Sequence, residues 1–308
     1  MINYKPKFWD KKSLSIISIA LYPFSLITRF FLLITKFKKS KKFNIPVICV
    51  GNIYIGGTGK TPICIKLYDF LKNEGMKPAF IKKYYDFLSD EINVLKSRGK
   101  VYSDKNRIQS IDKLINDGNN VAIVDDGYQD YSFDRKLNIL CFNENQWIGN
   151  GMVVPSGPLR EKISSVKRAN CILINGNQDN QKEKLLLKYN PSLRFFYFTY
   201  RMLNLESITN NKVFAFAGIG NPTNFFNLLR ANNLNLIGTK SFPDHYKYKR
   251  FDLENLIDIA KSKNALLLTT EKDFFRIDKE FQNLFKFVKI TATLENEKEF
   301  ANFIVSNI

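Results

Sequence analysis

The sequence predicts an α/β protein with a larger parallel-sheet domain, a smaller C-terminal α/β domain and a membrane-associated N-terminal helix. Three observations carry that prediction. Between residues 45 and 175, short apolar runs ending in glycine or acid alternate with amphipathic stretches, the rhythm of βαβ units and so of a parallel sheet covered by helices. The rhythm breaks over a polar, Asn- and Lys-rich stretch from about 176 to 211 and then resumes. The first 42 residues fit neither series. The division read from these features is 1–42, 43–200 and 201–308, with a soft boundary near 185–210.

Composition sets the limits. At 308 residues the chain is long enough for one large or two moderate domains. With 44% apolar and 25% charged residues, it is globular and not disordered. The formal charge of +18 points to anionic partners. Lys, Asn, Ile and Phe are all abundant, as in an AT-rich coding bias, which is the alternative source of part of that charge. Charge alone raises nucleic-acid binding, but no basic-aromatic motif or nucleic-acid module supports it. Cys49, Cys64, Cys141 and Cys171 are widely spaced and read as small buried hydrophobes.

The N-terminal run "SLSIISIALYPFSLITRFFLLIT", 13–35, carries one charge, Arg29, and one proline, Pro23. Lys5, Lys7, Lys11 and Lys12 precede it, and Lys36, Lys38, Lys39, Lys41 and Lys42 follow. A spanning helix needs roughly 20 apolar residues, and the uncharged stretch before Arg29 is shorter and serine-rich. An interfacial helix held by lysines on anionic lipid fits best; a span, a signal peptide and a core helix are the alternatives.

Ile45 to Val50 is an apolar run ending in glycine, hence a buried strand. Residues 60–73 have helical spacing, closed by Gly75. "PAFIKK" is the next strand, 107–116 a helix, and "VAIVDDG" from Val121 a strand ending in two carboxylates; "LNILCF" (137–142) and "CILIN" (171–175) continue the series. After the strand-like "LRFFYFTY", a second series begins. It comprises "VFAFAGIG" (213–220), a helix through 225–231, "LNLIGT", a helix over 252–262 and "ALLLTT" (265–270).

The chemistry concentrates at strand ends. In "VGNIYIGGTGKTP", 50–62, a strand runs into Gly56, Gly57, Thr58 and Gly59, then Lys60, Thr61 and Pro62 open a helix. Glycines let the backbone N–H groups curl around phosphate oxygens, Lys60 reaches the β/γ-phosphates and the Thr61 hydroxyl ligates Mg²⁺. The following helix presents its N-terminus to the anion. The usual spacing needs a glycine where Tyr54 stands. Even so, strand, glycine loop, Lys-Thr and helix occur in the order of a P-loop NTPase-like domain that binds ATP. "VAIVDDGYQD" ends a strand in Asp125, a carboxylate placed to hold Mg²⁺, with Asp126 beside it. "VVPSGPLRE" offers Arg160 for a phosphoryl group and Glu161 for a metal shell, or simply a surface turn with an ion pair. His245, the single histidine, lies in the polar turn "FPDHYKY", and "LLTTEKDFFRI" ends a strand in a polar cluster at a sheet edge.

Together "VGNIYIGGTGKTP", "DDGYQD", "PSGPLRE", "FAGIGNP", "FPDHY" and "LLTTEKD" resemble the tetraacyldisaccharide 4'-kinase (lipid A 4'-kinase) family, whose loop reads G-N-x-x-x-G-G-[TS]-G-K-[TS]. The resemblance implies Mg-ATP as donor and an acylated disaccharide 1-phosphate, held at the cytoplasmic face of the inner membrane, as acceptor. Its base is an aspartate in G-D-E-P paired with the histidine of F-P-D-H. Here "SDEI" makes Asp90 the candidate base, with Asp86 a competitor, and His245 its partner. Asp125, Asp126 and Gln129 match D-D-G-F-Q-H, with Asp130 in the histidine's place; Arg160 and Glu161 match P-L-R-E, and Arg107 an arginine of a weaker segment. The resemblance thus implies Asp90, His245, Lys60, Asp126 and Arg160 as catalytic, and Thr61, Asp125, Gln129 and Glu161 around the metal. The R-G-Y-G-R glycines before G-D-E-P are absent from "IKKYYDFLSDEI". A membrane-attached ATPase switch is the rival reading, but the loop lysine of partitioning-type ATPases is Ile55 here.

Overall fold

The computed structural model describes residues 6–11, 13–37, 39–209 and 211–308, and of Phe87 the backbone only. Lys5, Lys12 and Lys38, three of the flanking lysines, lie outside the described residues. The elements run α1 (Ile16–Ala20), α2 (Tyr22–Lys36), β1 (Val47–Gly51), α3 (Lys60–Asn73), β2 (Pro78–Lys82), α4 (Ser89–Lys96), β3 (Val101–Tyr102), α5 (Arg107–Asn116), β4 (Val121–Asp125), β5 (Leu137–Asn143), β6 (Cys171–Asn175), α6 (Asn180–Leu187) and β7 (Arg194–Met202). They continue with β8 (Lys212–Ala217), α7 (Pro222–Ala231), β9 (Asn235–Ser241), α8 (Arg250–Ser262), β10 (Leu266–Thr270), α9 (Glu271–Phe274), β11 (Phe285–Val288), β12 (Ile290–Leu294) and α10 (Glu297–Ser306).

Two compact units result among the described residues, one within 6–84, 99–199 and 292–308, the other within 85–98 and 200–291. These units differ from the 43–200/201–308 division in two places. Residues 85–98, which include α4, join the second unit because α4 packs on α9. Residues 292–308 return to the first, where Phe300 of α10 packs at a tilt on Phe70 of α3 and edge-on against Phe196 of β7.

Among the described residues the larger unit carries an eight-stranded sheet ordered β12-β7-β6-β5-β1-β4-β2-β3. The strands from β7 to β3 pair in parallel. Every residue of β1, β2 and β4 is buried, as expected for apolar strands covered on both faces. Strand order reverses at β1, so the crevice beyond the carboxyl ends of β1 and β4 is where an open α/β sheet takes its ligand. The four cysteines are free and buried in β1, α3, β5 and β6, where burial raises their thiols, in keeping with a packing role. The smaller unit has a parallel sheet ordered β11-β10-β8-β9, with its own reversal between β8 and β10. Its core lies on both faces, Phe225, Phe226 and Leu229 of α7 on one and Leu253, Leu256 and Ala260 of α8 on the other.

The N-terminal segment is not a core helix. α2 buries Ser25 alone, and Ser18 is the buried residue of α1. The Ser25 hydroxyl donates to the Val153 carbonyl at 2.8 Å and accepts from the Ser156 amide at 3.2 Å, while Asn150 donates to the Ser18 hydroxyl at 3.0 Å. Buried Trp9 adds an indole hydrogen bond to the Pro155 carbonyl at 3.0 Å. The polar side therefore docks on the 150–156 turn, and Phe24, Leu26, Ile27, Phe30, Phe31, Leu33 and Ile34 stay exposed. Among the described residues no helix is long and apolar enough to cross a membrane.

Candidate active site

In the larger unit the phosphate loop joins β1 to α3. Gly56 and Gly59 have φ of 127° and 94°, backbone that L side chains rarely adopt. Gly57 has no such φ, and a Cβ there would meet no atom of the chain within 4 Å. Nothing internal requires glycine at 57; a phosphate lying against the backbone would. The buried Asn52 ties the loop across itself, its amide donating to Thr58 Oγ1 at 3.0 Å and to the Gly56 carbonyl at 3.2 Å. Lys60, Thr61 and Pro62 form the first turn of α3.

The segment carrying Arg160 is part of the same construction. The amide of Ile55 bonds the Pro158 carbonyl at 2.8 Å, the Arg160 amide bonds the Ile53 carbonyl at 2.6 Å, and the Val154–Pro155 peptide is cis. Arg160 Nη1 then lies 2.8 Å from Asp126 Oδ1, and Lys60 Nζ 3.6 Å from the same oxygen. Asp126 adopts φ 58°, turning its carboxylate out of the strand line toward these cations. Burial alone would raise the Asp126 carboxyl, but Lys60, then Arg160 and Lys82, hold it well below the usual carboxylate range.

Asp125 has a different environment. Thr61 donates to its Oδ2 at 3.1 Å and Lys82 at 2.9 Å, all three residues being buried. Its Oδ1 is buried with no hydrogen-bond partner among the described residues. A buried acceptor left without a donor costs about 1–3 kcal/mol unless a ligand completes it. The Thr61 hydroxyl and that oxygen fit a hard cation with its water shell. Lys82 was missed in the sequence; its only signal is a lysine ending an otherwise apolar strand.

Glu161, expected around the metal, is engaged by side chains of its own surroundings. Both its oxygens accept from Arg168, at 2.8 and 3.0 Å, one also from Gln129 and the other from Tyr131, each at 3.1 Å. Arg168 in turn lies over the rings of Tyr128 and Tyr131. Through these bonds the Glu161 carboxylate orients its neighbours. Gln129 is one of them: its amide nitrogen donates to Glu161 and the Asn52 carbonyl, and its oxygen accepts from Arg160 at 3.4 Å. Gln129 therefore braces the loop against Arg160. Arg107, buried at the start of α5, donates to the Asp126 carbonyl at 2.7 Å and to Asp130 at 2.9 Å. Against the effect of burial, hydrogen bonds from Ser132 and the charge of Arg107 lower the Asp130 carboxyl, so this residue is an anchored anion.

In the smaller unit a second cluster forms beyond the carboxyl ends of β8 and β10. Asp90, in the first turn of α4, is 1% exposed and accepts from Arg276 through Nε at 3.0 Å and through Nη2. His245, at φ 56°, places Nδ1 3.8 Å from the same carboxylate oxygen and 3.5 Å from Arg276 Nη2. Asp86 is exposed, so the structure brings Asp90 and not its competitor to His245. Behind them buried Asp273 accepts from the Gly218 amide at 3.0 Å, Tyr248 at 2.8 Å, Thr270 at 2.6 Å and Arg276 at 3.0 Å. Burial nevertheless raises the Asp273 carboxyl, with Arg276 and those hydrogen bonds opposing it. Arg276 had no signal in the sequence beyond its place after the polar cluster.

The family model for tetraacyldisaccharide-1-P 4'-kinase matches residues 13–308. A tetraacyldisaccharide 4'-kinase of Pelagibacter ubique is 40% identical over 308 residues, covering 98% of this chain and 97% of that protein. One from Rickettsia bellii is 36% identical over 292 residues, covering 88% and 89%. The crystal structure of an LpxK from Aquifex aeolicus in complex with ATP has the same fold, with a TM-score of 0.72 at 23% identity over 94% of this chain and 99% of that one. Sequence match along nearly the whole length and a shared fold lead to one conclusion: the chain belongs to the tetraacyldisaccharide 4'-kinase family.

Proposed function

We propose that this chain is an ATP-dependent kinase that transfers the γ-phosphate to the 4'-hydroxyl of a tetraacyldisaccharide 1-phosphate in lipid A biosynthesis. The observation that carries the reading is the convergence of Lys60, Arg160 and the Thr61–Asp125 pair on one glycine loop. Those groups suit a phosphoryl donor, because phosphoryl transfer asks chiefly for positioning and neutralised charge. The loop amides and Lys60 hold the phosphates. Arg160 stabilises charge on the transferring group, and Asp126 keeps Lys60 and Arg160 oriented. Thr61 and Asp125 would hold Mg²⁺, which when bound would supply charge neutralisation for the donor phosphates.

The acceptor chemistry belongs to Asp90 and His245. As the sugar oxygen bonds to the γ-phosphorus, the bond to the ADP oxygen breaks with its electron pair leaving on ADP. The hydroxyl proton passes to the Asp90 carboxylate, which His245 helps orient. The exposed apolar face of α1 and α2 supports a peripheral or monotopic seat on an anionic membrane surface, and use of ATP favours the cytoplasmic face of the inner membrane.

Radiolabelled ATP incubated with the extracted disaccharide 1-phosphate is expected to give a bis-phosphorylated lipid, and Lys60→Ala is expected to abolish it. Intact 4'-phosphorylation by Lys60→Ala would sink the loop assignment. ATP turnover indifferent to the lipid would sink the acceptor.

A further inference from the structure

We propose that Arg276 is the positioning residue for the proton-accepting carboxylate of Asp90. Its guanidinium fork takes one carboxylate oxygen and leaves the other, buried and unpartnered, for the acceptor hydroxyl. The inference rests on the reading of Asp90 as the base. Its geometric ground is the unequal treatment of the two oxygens. Oδ2 receives both Nε and Nη2 of Arg276 and has His245 Nδ1 at 3.8 Å. Oδ1 is buried with no hydrogen-bond partner among the described residues. An acceptor in that state is tolerated where a substrate donor completes it.

Arg276 can orient Asp90 because it is itself fixed from behind. Nη1 donates to the Gly218 carbonyl at 2.7 Å and to Asp273 Oδ1 at 3.0 Å. Asp273 is held in turn by Tyr248, Thr270 and the Gly218 amide. A planar fork pinned on one edge presents its other edge in a single direction, which a lysine ammonium does not do. The charge matters as well. A carboxylate 1% exposed needs a cation or donors beside it, and a carboxyl that already carries a proton cannot take the one on the hydroxyl. The other charged groups around it are Asp244, 3.9 Å from His245 Nε2, and the Glu91–Lys272 pair at 2.6 Å, one residue on from Asp90.

A different ion pair between the same two helices separates positioning from mere docking. Arg98, two residues beyond α4, meets Glu271 of α9 at 3.0 Å without touching Asp90. Full-length Arg276→Gln, Arg276→Lys, Asp90→Asn and Arg98→Met are compared by thermal melting and by steady-state transfer to the disaccharide 1-phosphate from pH 5 to 10, a range chosen around carboxylate and imidazole titration. Asp90→Asn is expected to lose roughly 10²–10⁴ in kcat, the usual weight of a general base. Arg276→Gln is expected to lose a similar factor at pH 7 with the KM for ATP within about twofold of the parent, and to regain rate as pH rises, its acid limb displaced upward. Arg276→Lys keeps the charge and loses the fork, so its rate falls between the two with the acid limb in place. Arg98→Met is expected to melt lower with the parent's pH profile. The proposal is overturned if the Arg276 variants lose only the activity that their unfolding accounts for, on an unmoved profile. An Asp90→Asn enzyme with parental kcat would instead overturn the base, leaving Arg276 a structural cation.

Discussion

Glycines at the phosphate loop divide into those the chain needs and those a ligand needs. A Cβ on Gly51 would sit 2.5 Å from Tyr128 Cβ, inside the buried cluster under the loop, whereas one on Gly57 meets nothing within 4 Å. Gly51→Ala is therefore expected to lower stability by about 1–3 kcal/mol, an overpacking cost read from denaturant midpoints. Gly57→Ala is expected to stay within about 0.5 kcal/mol of the parent yet to weaken ATP binding, as measured by calorimetry. Asp126 gives a pH prediction. Its folded carboxyl lies below the unfolded value of about 3.9, so its contribution is present above that pH and is lost as pH falls through the lower folded value. The parent's urea midpoint is expected to fall more steeply between pH 5 and pH 2 than that of Asp126→Asn; parallel curves would show that the cations around it do not stabilise the anion.

The element that departs most from soluble-protein habit is α2. Most helices turn an apolar stripe inward, yet this one buries a serine and exposes two adjacent phenylalanines, Phe30 and Phe31, at 61% and 63%. Its orientation is decided by hydrogen bonds to the 150–156 turn, because Ser25 and Ser18 have partners there and the aromatic side has none to match. Replacing Phe24, Phe30 and Phe31 by serine is expected to reduce co-sedimentation with anionic vesicles while leaving the thermal midpoint near the parent's, since those rings contribute little to the core. β4 and α5 illustrate the opposite case. Their ranges in the structure, 121–125 and 107–116, follow directly from apolar runs and helical spacing. α4 was not legible, because its eight residues are too few to set a period against the polar segment around them.

At the scale of the whole molecule, the glycine loop with Lys60 and Arg160 belongs to the larger unit and the Asp90–His245 pair to the smaller one, and the chain passes from one unit to the other at 84/85, 98/99, 199/200 and 291/292. Mg-ATP bound to the native larger unit is expected to stabilise it, by about 2.7 kcal/mol at a hundredfold excess over Kd, visible as a raised melting temperature that Lys60→Ala lacks. A parent enzyme whose melting ignores Mg-ATP would contradict the assignment of the loop. The sequence by itself determined the alternation of strand and helix, the glycine loop with Lys60 and Thr61, and the acidic end of β4. Each of these is written in contiguous residues whose spacing reports local geometry. Only the tertiary structure decided that Asp90 and not Asp86 meets His245, that Glu161 pairs with Arg168, and that Lys82 and Arg276 stand behind the two key aspartates. Those pairings join residues far apart in the chain, and which carboxylate keeps an open oxygen depends on how many donors the fold has already aimed at it.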